Sequence, residues 1–128
     1  MAPQLRRQTP ADAFDLVKAV GLTLPGVEAA IKYDGSPVLK TGGCFVAGLA
    51  SHRSAEPGTL VVRIGAEERE WLLEDAPDTY YVTDYYRPYP LVLVRLWRVD
   101  RDALHDLLST SWRLATAKSR RRVRSRDI

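Results

Sequence analysis

The stretch Tyr33-Asp34-Gly35-Ser36-Pro37-Val38-Leu39-Lys40-Thr41-Gly42-Gly43-Cys44-Phe45-Val46-Ala47-Gly48-Leu49-Ala50 sets two short apolar runs behind two turn signals. Asp-Gly and Gly-Gly reach positive φ at little cost, which the central positions of tight hairpins require. Residues 37–40 and 44–50 are therefore read as neighbouring antiparallel strands. Working outward, residues 28–33 form a short strand ahead of Asp34-Gly35. Beyond the polar loop 52–58, the β-branched run 59–64 forms another. The result is an antiparallel meander.

Helices flank it. Thr9 can cap a helix, Pro10 suits its first position because its missing N–H costs nothing there, and Asp12 favours the positive end. Phe14, Val17 and Val20 follow at helical spacing until Gly21. Residues 66–75 place acids in a first turn and Trp71-Leu72 on one face, a short helix stopped before Pro77. Residues 79–83 and 91–97 read as two more strands. Asp100 caps the clearest helix, with Ala103, Leu104, Leu107, Leu108, Ser111, Trp112 and Ala115 in one stripe. The expected fold class is α+β: a two-layer sandwich, a twisted antiparallel sheet of about five to six strands with helices packed on one face.

The 128-residue chain is long enough for one self-sufficient core. Its single cysteine, Cys44, excludes an internal disulfide framework and fits a cytoplasmic protein. No stretch approaches the roughly 18 apolar residues of a membrane span, so no membrane role is expected. The formal charge of +3 is unevenly placed. Residues 118–128 hold six bases (Lys118, Arg120, Arg121, Arg122, Arg124, Arg126) against one acid, whereas residues 1–117 hold thirteen bases and fifteen acids. The division is thus a single domain over 1–117 and a basic, unfolded tail over 118–128.

Catalytic inventory is thin. His52 and His105 have no histidine or cysteine partner at metal-ligand spacing, and His105 lies off the apolar stripe. Cys44 opens an apolar strand, where burial is the ordinary fate of a thiol; a nucleophilic pairing with His52 across a hairpin lacks a third orienting group. Gly35, Gly42 and Gly43 sit between strands, not in a phosphate loop. The acids Glu67, Glu68, Glu70, Glu74 and Asp75 read as a solvated helix face rather than a cation site. No metal or cofactor is expected.

At this point the residues resemble those of a known family. Leu24-Pro25-Gly26-Val27-Glu28, Tyr33 through Lys40, and Gly43-Cys44-Phe45-Val46-Ala47 resemble the front half of MmcQ/YjbR-like proteins. Tyr81-Val82-Thr83-Asp84-Tyr85-Tyr86-Arg87, Val92-Leu93-Val94-Arg95-Leu96 and Ser111-Trp112-Arg113-Leu114-Ala115 resemble its back half, in the same order. The resemblance implies a small bacterial α+β protein, similar in fold to frataxin and secretion chaperones and expected to bind DNA, with no catalytic residues to carry over. Iron binding in frataxin-like proteins goes with a strongly acidic first helix; here that helix offers Asp12 and Asp15 beside Lys18, which argues against an iron role.

The candidate ligand surface comes from the residues themselves. Five of the six tyrosines fall between 80 and 90. Strand alternation sends Tyr80 and Val82 to one face, Tyr81 and Thr83 to the other. Tyr85, Tyr86, Arg87 and Tyr89 occupy a proline-stiffened connection, suited either to stacking on unpaired bases or to closing a small core. Lys32, Lys40, Arg63 and Arg95 lie on strands and form a phosphate track if they share a face; the tail bases add salt-sensitive contacts. The expected function is non-enzymatic, low-specificity DNA binding by a monomer or weak dimer. Two rivals stand beside it: a chaperone-like protein-interaction module using the sheet face, and a small-molecule enzyme. A basic, tyrosine-lined groove favours the first, a broad apolar sheet face the second, a deep pocket with convergent polar groups the third.

Overall fold

A computed structural model describes residues 10–127, with side chains placed over 13–121. The order is α1 (Pro10–Gly21), β1 (Val27–Ile31), β2 (Pro37–Thr41), β3 (Cys44–Leu49), β4 (Thr59–Arg63), α2 (Ala66–Asp75), β5 (Tyr80–Tyr81), β6 (Leu91–Arg95) and α3 (Arg101–Asp127). The six strands make one antiparallel sheet in the order β1-β2-β3-β4-β6-β5. The expected α+β sandwich is the observed one. The capping by Thr9 falls outside the described residues, as do the side chains of Asp12, Arg122, Arg124 and Arg126. No helix among the described residues is long and apolar enough to cross a membrane.

The Gly-Gly signal sets the central hairpin. Thr41 pairs with Cys44, and Gly42 and Gly43 between them have φ of 55° and 77°. That is the two-residue turn whose twist matches the strands it joins. One irregularity follows: Leu39 pairs with Ala47 but Lys40 with Phe45, so Val46 is an extra residue in β3. The bulge turns both Val46 and Ala47 into the core beneath the helices.

That core joins Phe14, Val17 and Val20 of α1 to Leu104, Leu107, Leu108 and Ala115 of α3, over Leu39, Leu60, Val62, Val92 and Val94. The stripe read on the last helix is thus its buried face. Ser111, the stripe's polar member, is fully buried and donates to the Val46 carbonyl at 2.8 Å. The bulge leaves that carbonyl aimed at the helix layer, and the serine satisfies it. Ser111→Ala should therefore cost about 1–2 kcal/mol, because a buried acceptor loses its only described side-chain donor. Urea unfolding would measure this, and an unchanged midpoint would show that the carbonyl is otherwise satisfied.

Two expectations are corrected. The chain does not unfold after residue 117: α3 continues to Asp127, and Ser119 Oγ donates to the Gly42 carbonyl at 3.4 Å. Arginine and lysine are good helix formers, and bases are stabilised at a helix C-terminus by the dipole, so a charge run attached to a stable helix extends it. The strand expected over 79–83 shrinks to Tyr80–Tyr81. The chain then leaves the sheet and folds back across it, so Val82 packs with Val61, Tyr86 and Leu93 on the face away from the helices instead of following Tyr80.

Candidate nucleic-acid interface

Strand parity separates the two faces. Leu60, Val62, Val92 and Val94 point to the helices. Thr59, Val61, Arg63, Leu91, Leu93 and Arg95, interleaved with them, therefore point to the other face. Lys40 alternates with Leu39 and shares that face, as does Tyr81. The register thus places Lys40, Arg63 and Arg95 on one side of the sheet, with Lys32 just past the end of β1.

This face is not open over β4 and β6. Two connections cover it, residues 50–58 and 82–90, and their junction is aromatic. Tyr86, 7% exposed, caps Val61 and Leu93. Its hydroxyl accepts from the His52 N–H at 3.2 Å, and burial raises its pKa. Tyr85 lies parallel to the His52 ring, centroids 3.5 Å apart at 7°, and edge-on to Tyr86 at 5.0 Å. Tyr89 follows at 6.4 Å from Tyr85. The His52 Nδ1 lies 2.8 Å from Ser54 Oγ, which is 2.9 Å from Thr83 Oγ1, so the two loops are also joined by hydroxyls.

The tyrosine segment consequently divides its work. Tyr86 completes a small second core, while Tyr85 and Tyr89 remain 50% and 53% exposed. Arg87 between them is exposed. A residue not anticipated holds this loop in shape: Arg69 of α2, whose Nη1 donates to the carbonyls of Arg87, Tyr89 and Leu91 at 3.1, 3.0 and 3.3 Å. Nothing in the sequence distinguishes Arg69 from any other base in an acidic helix. His52 was likewise legible only as a loop residue.

The strand bases differ in availability. Arg95 is committed: it forks onto Glu56, with Nη2 to Oε2 at 2.7 Å, and donates Nη1 to the carbonyls of Pro77 and Asp78 at 3.2 and 3.1 Å. Its guanidinium also lies 4.2 Å over the Tyr81 ring. Arg63 donates Nε to the Phe45 carbonyl at 2.8 Å, and Lys32 donates Nζ to the Leu49 carbonyl at 3.3 Å. Lys40 is exposed, opposite Glu28 in register. Lys40 and Arg63 thus flank Phe45 at the end of the sheet where Ser119 meets Gly42. The basic end of α3 leaves the sheet there, with Lys118, Arg120 and Arg121 exposed.

Cys44 and His52 do not meet. Cys44 is buried in the helix-side core, whereas His52 is stacked beyond the opposite face. Over β4 and β6, the apolar sheet face that an interaction module would present is covered by Tyr86 and its neighbours.

The YjbR family model matches residues 22–114, the greater part of the chain. The chain belongs to the YjbR family. No curated protein matches it. The crystal structure of Deinococcus radiodurans protein DR2400, which carries the domain DUF419, is similar to this YjbR protein at a TM-score of 0.66 with 24% identity. The likeness covers 85% of this chain and 82% of that one, and it concerns the fold. The YjbR match takes in both covering loops and the aromatic junction, and ends within α3 before its basic end.

Proposed function

We propose that this YjbR protein binds nucleic acid on the loop-covered face of its sheet, by ring stacking and phosphate neutralisation rather than base-edge readout. The observation that carries the reading is the half-exposed ring of Tyr85, supported by Tyr86 and His52, with half-exposed Tyr89 beside it and Arg87 exposed between the two. Supported aromatic rings beside a guanidinium suit unpaired bases of any sequence. Lys40 on the same face, and the exposed bases at the end of α3, supply phosphate contacts. The opposite layer disfavours a polyanion, because Glu67, Glu68, Asp75, Asp100 and Asp106 line the space between α2 and α3. In this reading the protein is a non-enzymatic binder acting in the cytoplasm.

Titration of a fluorescein-labelled oligothymidylate at several salt concentrations tests it. Tyr85→Ala and Arg87→Ala should each weaken binding about tenfold at fixed salt, the scale of one lost stacking or charge contact. Joint Lys118→Gln, Arg120→Gln and Arg121→Gln should flatten the dependence of log affinity on log salt by about 2. Binding lost with the helix-end variant but indifferent to Tyr85→Ala would remove the folded face from the reading. No binding by the unaltered chain at low salt would end it.

A further inference from the structure

The helix side of the molecule carries a second site of opposite character. Between α2 and the first half of α3 runs a groove of about 760 Å³. Ile64, Leu72 and Leu107 form an apolar floor, and Trp71 stands at its wall, 62% exposed. Trp71 thus leaves most of its indole open beside the groove. Five carboxylates line the groove against one base, Arg98. Tyr80 also lines it: the residue is only 6% exposed, yet its hydroxyl has no hydrogen-bond partner among the described residues. That hydroxyl is not sealed in the core but opens on the groove, where a ligand can reach it.

We infer that this groove binds a small organic cation, an apolar body ending in a primary ammonium group. Tyr80 Oη and the carboxylates of Asp75 and Asp100 accept the ammonium protons, while Trp71, Leu72 and Leu107 cover the apolar body. Each part answers one feature. The volume lies in the range of small-molecule sites, and most of the lining surface is apolar. An ammonium has three donors and no acceptor, which suits a phenol oxygen between acids. A bare metal ion fits poorly, because no three acid, histidine or cysteine groups converge among the described residues. An anion meets five carboxylates.

The electrostatics agree. Burial, and then the charges of Asp100 and Asp75, raise the Tyr80 pKa, so the phenol stays neutral at physiological pH and both acids act on it. Asp100 also accepts from the Ala103 N–H at 2.7 Å as the cap of α3. Asparagine caps equally well, so Asp100→Asn removes the charge while leaving the helix start intact.

The test uses the full chain and three probes of one shape: phenylbutylamine, phenylbutanol and phenylbutyrate. Amide and indole chemical shifts report the location, and their titration reports affinity. The amine should shift the Trp71 indole N–H with the amides of Leu72, Ala76 and Ala103. It should bind at least about tenfold tighter than the alcohol, and the acid should not bind. Tyr80→Phe and Asp100→Asn should each weaken the amine about fivefold and leave the alcohol unchanged. Equal binding of amine and alcohol, shifts mapping elsewhere, or no shifts up to about 10 mM amine would overturn the assignment. So would a basic amphipathic peptide that shifts these residues when the small amine does not, since the groove would then be a peptide-docking surface.

Discussion

Tyr86→Ala is expected to lower the free energy of unfolding by about 3–5 kcal/mol, the range for truncating a buried aromatic ring. The ring is 7% exposed, covers Val61 and Leu93, and stands edge-on to both Tyr85 and His52. Its removal leaves the second core uncapped and takes away the support on which Tyr85 stacks. Tyr86→Phe separates the two contributions. It keeps the packing and deletes only the hydroxyl that accepts from the His52 N–H, so it should cost about 1 kcal/mol. Urea unfolding of both variants measures the contrast. Oligothymidylate binding at temperatures where Tyr86→Ala is still folded measures its consequence for the proposed interface. If Tyr86→Ala cost no more than Tyr86→Phe, the loop would be held by its hydroxyls and by Arg69 rather than by the ring.

Arg95→Ala should cost about 2–3 kcal/mol, even though its visible partner is a surface acid. The Glu56 ion pair alone contributes little, because its side chain is 45% exposed and the charge is screened. The larger part comes from the two carbonyls at Pro77 and Asp78 and from the Tyr81 ring beneath the guanidinium. Arg95 ties the end of β6 to the connection leading into β5. Arg95→Lys should recover less than half of the loss, since the single nitrogen of an ammonium cannot span the separate acceptors that Nε, Nη1 and Nη2 serve, nor lie flat over Tyr81. Glu56→Gln in the same assay should cost well under 1 kcal/mol.

The pair also has a pH signature. The hydrogen bond from Arg95, more than its charge, holds the Glu56 carboxyl below the usual glutamate range against the opposing effect of burial. A carboxyl depressed in the folded state stabilises it above the ordinary glutamate pKa and withdraws that stability as pH falls through the folded value. Unfolding measured downward from pH 5 should therefore show a Glu56-dependent loss that Glu56→Gln lacks. Identical slopes for the two proteins would show that the pair contributes nothing.

Local residue types made most of the sheet legible. The glycines of Asp34-Gly35 and Gly42-Gly43 mark turns because few other residues tolerate their positive φ, and the runs between them can hardly be anything but strands. The long helix was equally plain from its stripe, down to the buried Ser111. Its end was not, because a basic run reads alike in a helix and in a loose extension. Segment 80–90 was legible as a concentration of tyrosines, but its division into a buried Tyr86 and exposed Tyr85 and Tyr89 depends on His52, 34 residues before Tyr86 in the chain. The partnership of His52 with that segment leaves no local mark.

By itself, the sequence determined the fold class and the order of the elements. Each of these follows from local conformational preference and side-chain chemistry. Only the tertiary structure decided which charged residues are available. Arg95 and Lys40 look alike on paper, yet one is spent on carbonyls and Glu56 while the other faces solvent. It also set the acidic groove and the stacked rings on opposite sides of one sheet. Availability depends on what long-range packing brings within hydrogen-bonding reach, and pairwise proximity across the fold is not a property of any local stretch.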